Sequence, residues 1–520
     1  MPQLPGKVYL VGGGPGDPGL LTLRGCECLR RADLVLYDGL VNPWLLRLTR
    51  GTAERTARTN HDGQRLLDQE QINGRLIEAA RSGKTVVRLK GGDPLVFGRG
   101  AEEAAALRAA GIPYEIVPGV TAAIAASAYA GISLTHRNMA SSVALVTGHE
   151  HPGKPESFLD YKELANFPGT LVFYMGLHHL QEITEALIEA GKPDWTPVAV
   201  ISHGTRPQQR TIVGTLGDIG AQAQESGLRP PSLIVVGEVA TLRESLAWFE
   251  QRPLFGMTIG LTRPSGQLDD VATRAFELGA QPLPLSTMEI LPPDDWDEVD
   301  RDLAQLPEFD WLVFTSSNGV EFFLRRLWET GGDPRRLAKT KIAVIGAETA
   351  HALETFHLRA DLVPESFRAE ALAEKLAPLV RGTKVLWARA NRGRDVLPDQ
   401  LRAAGADFHE VVTYRHVDVQ SWPIEYAQML ERDEVDWIGL SSPSIAAQVA
   451  KLVPNSRTIG TAQRRLKLAS IRPVTTAAAR AVGLTITAEA TTYTWEGIFE
   501  AVMRHNRESQ PMEQGPESWI

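Results

Sequence analysis

Arg88-Leu-Lys-Gly-Gly-Asp-Pro-Leu-Val-Phe-Gly-Arg-Gly100 follows the apolar run Thr85 to Leu89, so it reads as a strand that empties into a glycine-rich loop. Side chains are scarce there and backbone groups can touch a ligand, which marks a small-molecule site rather than core. A phosphate cradle wants a Lys-Ser or Lys-Thr pair opening a helix after the glycines, and a dinucleotide fingerprint wants G-x-G-x-x-G. The loop has neither. Outward from it, strand-like runs alternate with helical patterns: Val8 to Val11, a helix around Leu20 to Arg31, then Leu34 to Tyr37. That alternation predicts an α/β architecture with largely parallel sheets.

A chain of 520 residues is too long for one core. With 43% hydrophobic and 22% charged residues it has the composition of an ordinary globular protein. Met1 to Leu10 runs straight into a strand with no signal-like segment, and the longest apolar stretch, Val120 to Leu134, is too short and too rich in small residues to span a bilayer. The expectation is a cytoplasmic protein. Only two cysteines, Cys26 and Cys28, are present, so neither a zinc site nor a disulfide framework can be assembled from cysteines. Residues 1–252 carry 25 Lys+Arg against 26 Asp+Glu, and 253–520 carry 29 against 37. Neither half has the basic excess of a nucleic-acid binder, so an anionic substrate must be met by local arginines and backbone amides.

A helix ends at Pro253 and a strand opens at Met257, which divides the chain into 1–252 and 257–505. The polar, breaker-rich residues 506–520 read as a flexible tail. The second unit repeats itself at a constant shift of 126 residues: Gly256 to Arg263 falls on Gly382 to Arg389, Asp310-Trp311 on Asp436-Trp437, and Thr349 on Thr475. Each half carries a Ser/Thr-rich turn after a buried strand, Phe314 to Asn318 and Leu440 to Ser444. Two similar lobes with polar turns imply a cleft between them, although such turns also serve simply as helix caps.

In the first unit, GPGDPGLLTL at 14–23, LYDGLV at 36–41, RLKGGDPLVFGRG at 88–100, PGVTAAIAASAYAGISLTHR at 118–137, SSVALVTGHE at 141–150 and VFYMG at 172–176 occur in this order. Together they resemble the tetrapyrrole methyltransferases, most closely uroporphyrinogen-III C-methyltransferase, over 7–250. The resemblance implies a two-lobed fold and transfer of two methyl groups from S-adenosylmethionine to uroporphyrinogen III, giving precorrin-2. It implies cofactor contacts at Pro15, Gly91, Gly92, Asp93, Val96, Thr121, Ala122, Met175 and Gly204, and a homodimer. The methyl donor brings its own reactivity, so the protein must mainly align it and exclude water. Ring methylation must be accompanied, later or concurrently, by loss of a proton, and Asp38 matches the family's proton acceptor. Arg99, His136 and Arg137 are candidates for the substrate's carboxylates, with surface ion pairing as the plain alternative.

One departure stands out. Counting back from Gln69-Glu-Gln-Ile-Asn73 puts Asn60 where the family has a lysine, and an amide cannot serve as that proton donor. Either the lysine is not essential to the chemistry, or a neighbour such as His61 or Arg58 substitutes, or this half is slower.

The duplicated half resembles uroporphyrinogen-III synthase, through FTSSNGVEFF at 314–323, KIAVIGAETAHALE at 341–354, VVTYRHV at 411–417, SSPS at 441–444 and KLASIRPVTTAAARAVGLTITAEA at 467–490. The resemblance implies interleaved lobes, roughly 257–287 with 418–505 and 290–414, and cofactor-free cyclisation of hydroxymethylbilane with inversion of the last ring and loss of water. Departure of the hydroxyl wants an acid, and Tyr414 matches the family's candidate. Ser316, Ser442 and Thr475 match polar cleft residues. Arg472 stands where the family has glycine, and would either add a carboxylate contact or obstruct the turn.

The combined expectation is a bifunctional enzyme whose second half makes uroporphyrinogen III and whose first half methylates it, without membrane or nucleic-acid partners. With no dehydrogenase or ferrochelatase segment before Met1, precorrin-2 is the expected product. The rival readings are a non-catalytic tetrapyrrole-binding second half, and a methylase acting on a different corrin precursor.

Overall fold

The computed structural model describes residues 6–56, 68–148, 159–393, 396–453 and 466–509. The chain divides into two units, Met1–Thr258 with Arg274–Gln281, and Ile259–Thr273 with Pro282–Ile520. No helix among the described residues is long and apolar enough to cross a membrane.

The first unit holds two five-stranded sheets. Strands β1 (Val8–Gly12), β2 (Leu34–Tyr37), β3 (Thr52–Arg55), β4 (Val86–Lys90) and β5 (Tyr114–Val117) form a sheet in the order β3-β2-β4-β1-β5. All its pairings are parallel. Successive residues point to opposite faces: Val8 and Leu10 pack with Leu34, Leu36 and Val86, while Val11 packs with Val35, Val87 and Leu89. With both faces covered, the strands are near-continuous apolar runs, and the connecting loops gather ligand-facing groups beyond the carboxyl ends.

The second sheet contains β6 (Val143–Thr147), β7 (Thr170–Tyr174), β8 (Pro197–Ser202), β9 (Arg210–Thr215) and β10 (Ser232–Val236), ordered β6-β7-β10-β8-β9. Only β6 and β7 pair in parallel; β10 runs antiparallel to β7 and β8, and β8 to β9. The expectation of largely parallel sheets fails here. A short turn through Gly204 to Gln209 returns the chain directly from β8 to β9, and no helix crosses over between them.

The second unit is two-lobed and internally duplicated. One sheet has the order β12-β11-β18-β19-β20, from β11 (Thr258–Leu261), β12 (Gln281–Pro284), β18 (Trp437–Leu440), β19 (Lys467–Ser470) and β20 (Ala488–Glu489). The other has the order β13-β17-β16-β14-β15, from β13 (Met288–Leu291), β14 (Trp311–Phe314), β15 (Lys341–Val344), β16 (Lys384–Ala390) and β17 (Asp407–Asp418). The 126-residue shift carries Trp311 onto Trp437 and Lys341 onto Lys467, the first residues of β14, β18, β15 and β19. In β14, Leu312 and Phe314 pack against Val320 and Phe323, and Trp311 and Val313 against Leu372 and Leu376 on the opposite face. The final helix, Trp495–Ser509, buries Trp495, Ile498, Phe499 and Val502. It continues through Ser509, so residues 506–509, which the polar composition assigned to a tail, are helical. The buried stripe of this helix carries the helical conformation past the last apolar position.

Candidate functional site

Three loops meet at the carboxyl edge of the first sheet. A Cβ on Gly119 would lie 2.3 Å from the Gly92 carbonyl oxygen and 2.7 Å from Gly12 Cα, and one on Gly12 would lie 2.5 Å from the Gly119 nitrogen. Backbone packs on backbone here, and only glycine permits it. Gly92 needs glycine for a second reason, a left-handed φ of 69°. It donates to Gly14 O at 2.8 Å, and Gly14 donates back at 3.2 Å.

Two carboxylates brace this cradle. Asp93 accepts from the amides of Leu95 (2.8 Å), Val96 (3.2 Å) and Gly119 (3.0 Å), tying its own loop to the loop after β5. Asp38, just beyond β2, accepts from Leu40 N at 2.9 Å on one oxygen and from Gly91 N at 3.0 Å on the other. Each carboxylate oxygen has two lone pairs, so one on each remains to take a proton. Below the loop, the buried Arg88 Nε and Lys90 Nζ both donate to Glu103 Oε1 at 3.0 Å. Burial pulls Lys90 below the ordinary lysine range.

The second sheet supplies the opposite wall. Tyr174 Oη lies 2.7 Å from Thr121 Oγ1 and accepts from Ala123 N at 2.9 Å. It satisfies an amide at the start of the helix Ala122–Tyr129, where Thr121 provides no side-chain cap. Gly204 packs on the same helix, since a Cβ there would come 2.4 Å from Ala126 Cβ. Phe97, from the glycine loop, packs on Tyr174 with ring centroids 4.8 Å apart. Pro15 lies in the turn before Asp17, whose amide donates to Thr205 Oγ1 at 3.1 Å and whose carboxylate accepts from Tyr129 Oη at 2.7 Å. Asp38, Gly91, Gly92, Asp93 and Val96 thus belong to the loops beyond the first sheet, while Thr121 and Ala122 open the helix that Tyr174 and Gly204 touch, and Met175 follows Tyr174 in the chain. Phe97, Arg99, Met175, His203 and Thr205 all hold left-handed φ, five of the seven such non-glycine residues among those described. Strained backbone of this kind collects at ligand sites.

Of the three candidate substrate residues, Arg99 lies on the glycine loop itself. Arg99 is paired with Glu102 at 2.6 Å, one turn along its own helix. His136 and Arg137 sit in the turn closed by His136 and Ala140, where the His136 ring accepts from Asn138 N at 3.3 Å. No contact described joins either to Asp38 or to the glycine loops. Asn60, Arg58 and His61 fall outside the described residues. The residue missed is Arg206, whose Nη2 donates to the Leu40 carbonyl. Its setting, Gly204-Thr-Arg-Pro207, reads in sequence only as a turn; a basic residue two positions from Gly204 was the available signal.

In the second unit, Tyr414 is 4% exposed, and its Oη lies 2.8 Å from Ser316 Oγ. Phe322 stacks on its ring with centroids 5.8 Å apart. The register between β16 and β17 slips here: Val412 faces Arg389 and Tyr414 faces Ala390, leaving Thr413 as the extra residue of a bulge. The bulge turns Thr413 and Tyr414 both inward, which a regular strand would not do. Burial pushes the tyrosine hydroxyl above its ordinary pKa, and the Ser316 contact opposes part of that. Ser316 and Ser442 are repeat mates with one job, each capping a helix by accepting from the amide three residues on, Gly319 at 3.0 Å and Ile445 at 3.2 Å. Thr475 is fully buried and its hydroxyl has no partner among the described residues. The structure joins Ser316 to Tyr414 in one lobe; Ser442 and Thr475 belong to the other.

Two family models match, Tetrapyrrole (Corrin/Porphyrin) Methylases over residues 7–220 and Uroporphyrinogen-III synthase HemD over 269–500. The porphyrin biosynthesis protein HemD of Ruminiclostridium josui is 38% identical over 440 residues, covering 84% of this chain and 87% of that protein. The chain belongs to this porphyrin biosynthesis family. The uroporphyrinogen-III C-methyltransferase of Bacillus subtilis is 41% identical over 347 residues, 66% of this chain and 71% of that one. The sirohaem synthase of Azotobacter vinelandii is 51% identical over 251 residues, 48% of this chain and 54% of its own length. The family member described here is an enzyme with an S-adenosylmethionine-dependent methyltransferase half and a uroporphyrinogen-III synthase half.

The methylase half fits S-adenosylmethionine on its own geometry. Gly92 leaves open space where a Cβ would stand, with nothing nearer than 3.9 Å, and Leu40, Leu95, Phe97 and Met175 are exposed apolar side chains, a setting that the adenosyl group would suit. In the synthase half, Arg472 has φ −171°, extended backbone that any residue adopts, and its repeat mate Gly346 has φ −179°. The arginine therefore costs the turn nothing, and its side chain is exposed.

Proposed function

We propose that the chain, as domains 1–252 and 257–505, carries out two consecutive reactions: hydroxymethylbilane is cyclised to uroporphyrinogen III, which is then methylated twice to precorrin-2. The observation that carries this reading is the union, in one chain, of a synthase-type half and a methylase-type half, the product of the first being a substrate of the second. A homodimer and a cytoplasmic location accompany the proposal.

Bound S-adenosylmethionine supplies a methyl group on a sulfonium, electrophilic without further activation. Gly91, Gly92 and Asp93 on one wall, with Thr121, Ala122, Met175 and Gly204 on the other, hold it in line with the accepting carbon and exclude water. Asp38, fixed by the Leu40 and Gly91 amides, takes the proton that the methylated ring gives up.

In the synthase half, Tyr414 acts as the acid. Its Oη hydrogen assists departure of the bilane hydroxyl as water, the terminal ring bonds to the cation left behind and inverts before the macrocycle closes, and the proton released on closure returns to the phenolate. Burial favours this role, because the hydroxyl stays protonated. The helix starts at Ser317, Ala347, Pro443 and Pro473 follow strands β14, β15, β18 and β19, and present backbone amides for substrate carboxylates. Supplying the full chain with hydroxymethylbilane but no methyl donor tests this half: the type III isomer supports the proposal, and the type I product of spontaneous closure contradicts it.

A further inference from the structure

Among the described residues, Arg206 is a cation without an anion. Its side chain passes over Gly16, where a Cβ would come 2.6 Å from Arg206 Cγ and 2.9 Å from Nε. One nitrogen, Nη2, donates to the Leu40 carbonyl, while Nε is shut off from solvent and has no partner among the described residues. Asp38 acts on it electrostatically, yet no ion pair joins the two among the described residues. Two further acids near this turn are taken up elsewhere. Asp17, next to Gly16, accepts from Gly19 N and Tyr129 Oη. Glu250 pairs with Arg243 at 2.5 Å and accepts from Gln209 and Thr211.

A guanidinium does not lose its proton to escape such a place. Burial disfavours its charge and is not fully offset by Asp38. Buried charges are retained where something pairs with them, and the planar fork of arginine matches a carboxylate. The position gives the pairing a location: Arg206 leaves the turn between β8 and β9, crosses to the loop after β2, and ends beside the candidate base.

We propose that Arg206 receives a ligand carboxylate in the methyl-transfer cleft, either an acetate or propionate of the tetrapyrrole or the amino-acid end of the methyl donor. The proposal rests on the methyltransferase reading above.

The test uses the full chain with Arg206→Gln and Arg206→Lys. Initial rates of labelled methyl transfer give KM for uroporphyrinogen III, calorimetry gives Kd for S-adenosylhomocysteine, and melting reports the fold. Losing a charge-assisted hydrogen bond is expected to weaken one of the two constants by about ten- to a hundred-fold. The other constant stays within about twofold, and lysine recovers part of the loss. A raised KM assigns the carboxylate to the tetrapyrrole, and a raised Kd assigns it to the donor. Both constants unchanged, or both weakened together with a lowered melting temperature, overturns the proposal and leaves Arg206 as a structural clasp on Leu40. A wild-type chain that puts no methyl into uroporphyrinogen III fails the methyltransferase reading itself, and this proposal with it.

Discussion

Gly119→Ala tests the three-loop junction on which the cofactor cradle depends. The added Cβ would stand 2.3 Å from Gly92 O, where such contacts essentially never fall below 3.0 Å, so the loops must part by roughly 0.7 Å. Gly92 is held by its paired hydrogen bonds to Gly14, at 2.8 and 3.2 Å, and that movement strains both. Overpacking strain of about 1–3 kcal/mol, with about 0.5 kcal/mol for each of the two bonds weakened, gives a loss of about 2–4 kcal/mol. For a unit of this size that is roughly 5–15 °C in melting temperature. Differential scanning calorimetry of the full chain reads it in whichever transition S-adenosylhomocysteine raises, and titration of the same ligand should show at least about tenfold weaker binding. The control is Gly74→Ala in the helix Gln69–Arg81, where a new Cβ meets nothing within 4 Å. It should be neutral or stabilise by up to about 1 kcal/mol. Gly119→Ala melting and binding like the wild type would refute the junction as an organiser of the site.

Three further outcomes follow from named contacts. Glu103→Gln leaves the buried Arg88 and Lys90 without their shared counter-charge, and is expected to destabilise the first unit by about 3–5 kcal/mol, measured by urea unfolding. Asp38→Asn keeps one acceptor for a loop amide but removes the base: methyl transfer to uroporphyrinogen III should fall about 10²–10⁴-fold while S-adenosylhomocysteine still binds, as calorimetry will check. Tyr414→Phe should lower type III isomer formation by at least about 10²-fold. Because burial raises the folded pKa of Tyr414, its favourable contribution is complete below the unfolded tyrosine pKa of about 10 and is lost as pH rises through the folded value. The phenylalanine variant should accordingly lose less stability than wild type above about pH 10, followed by circular dichroism.

Much of this architecture is legible in the chain because it rests on local patterns. Apolar strands such as Val86 to Leu89 followed by glycine declare a covered parallel sheet with its loops at one edge. The repeat shows because Asp310-Trp311 and Asp436-Trp437 open equivalent strands. The mixed pairing of β7 to β10 was hidden, since an apolar run such as Val198 to Ile201 does not reveal its neighbour's direction. The bulge at Thr413 was hidden too, because one extra residue in a strand leaves no mark on composition. Within the site, glycines and motif carboxylates identify themselves by spacing. Arg206 does not, for its significance comes from what surrounds it: an Asp38 that acts on it without an ion pair, an occupied Glu250 and a shielded Nε. Arg99, conspicuous in its motif, turns instead to Glu102.

The central claim is that one chain links ring closure to ring methylation. The most direct measurement incubates the full-length protein with hydroxymethylbilane and S-adenosylmethionine and follows the tetrapyrrole products by absorbance and mass. The account predicts precorrin-2, a type III macrocycle carrying two added methyl groups. Accumulation of unmethylated type I uroporphyrinogen, with the methyl donor unconsumed, would contradict it.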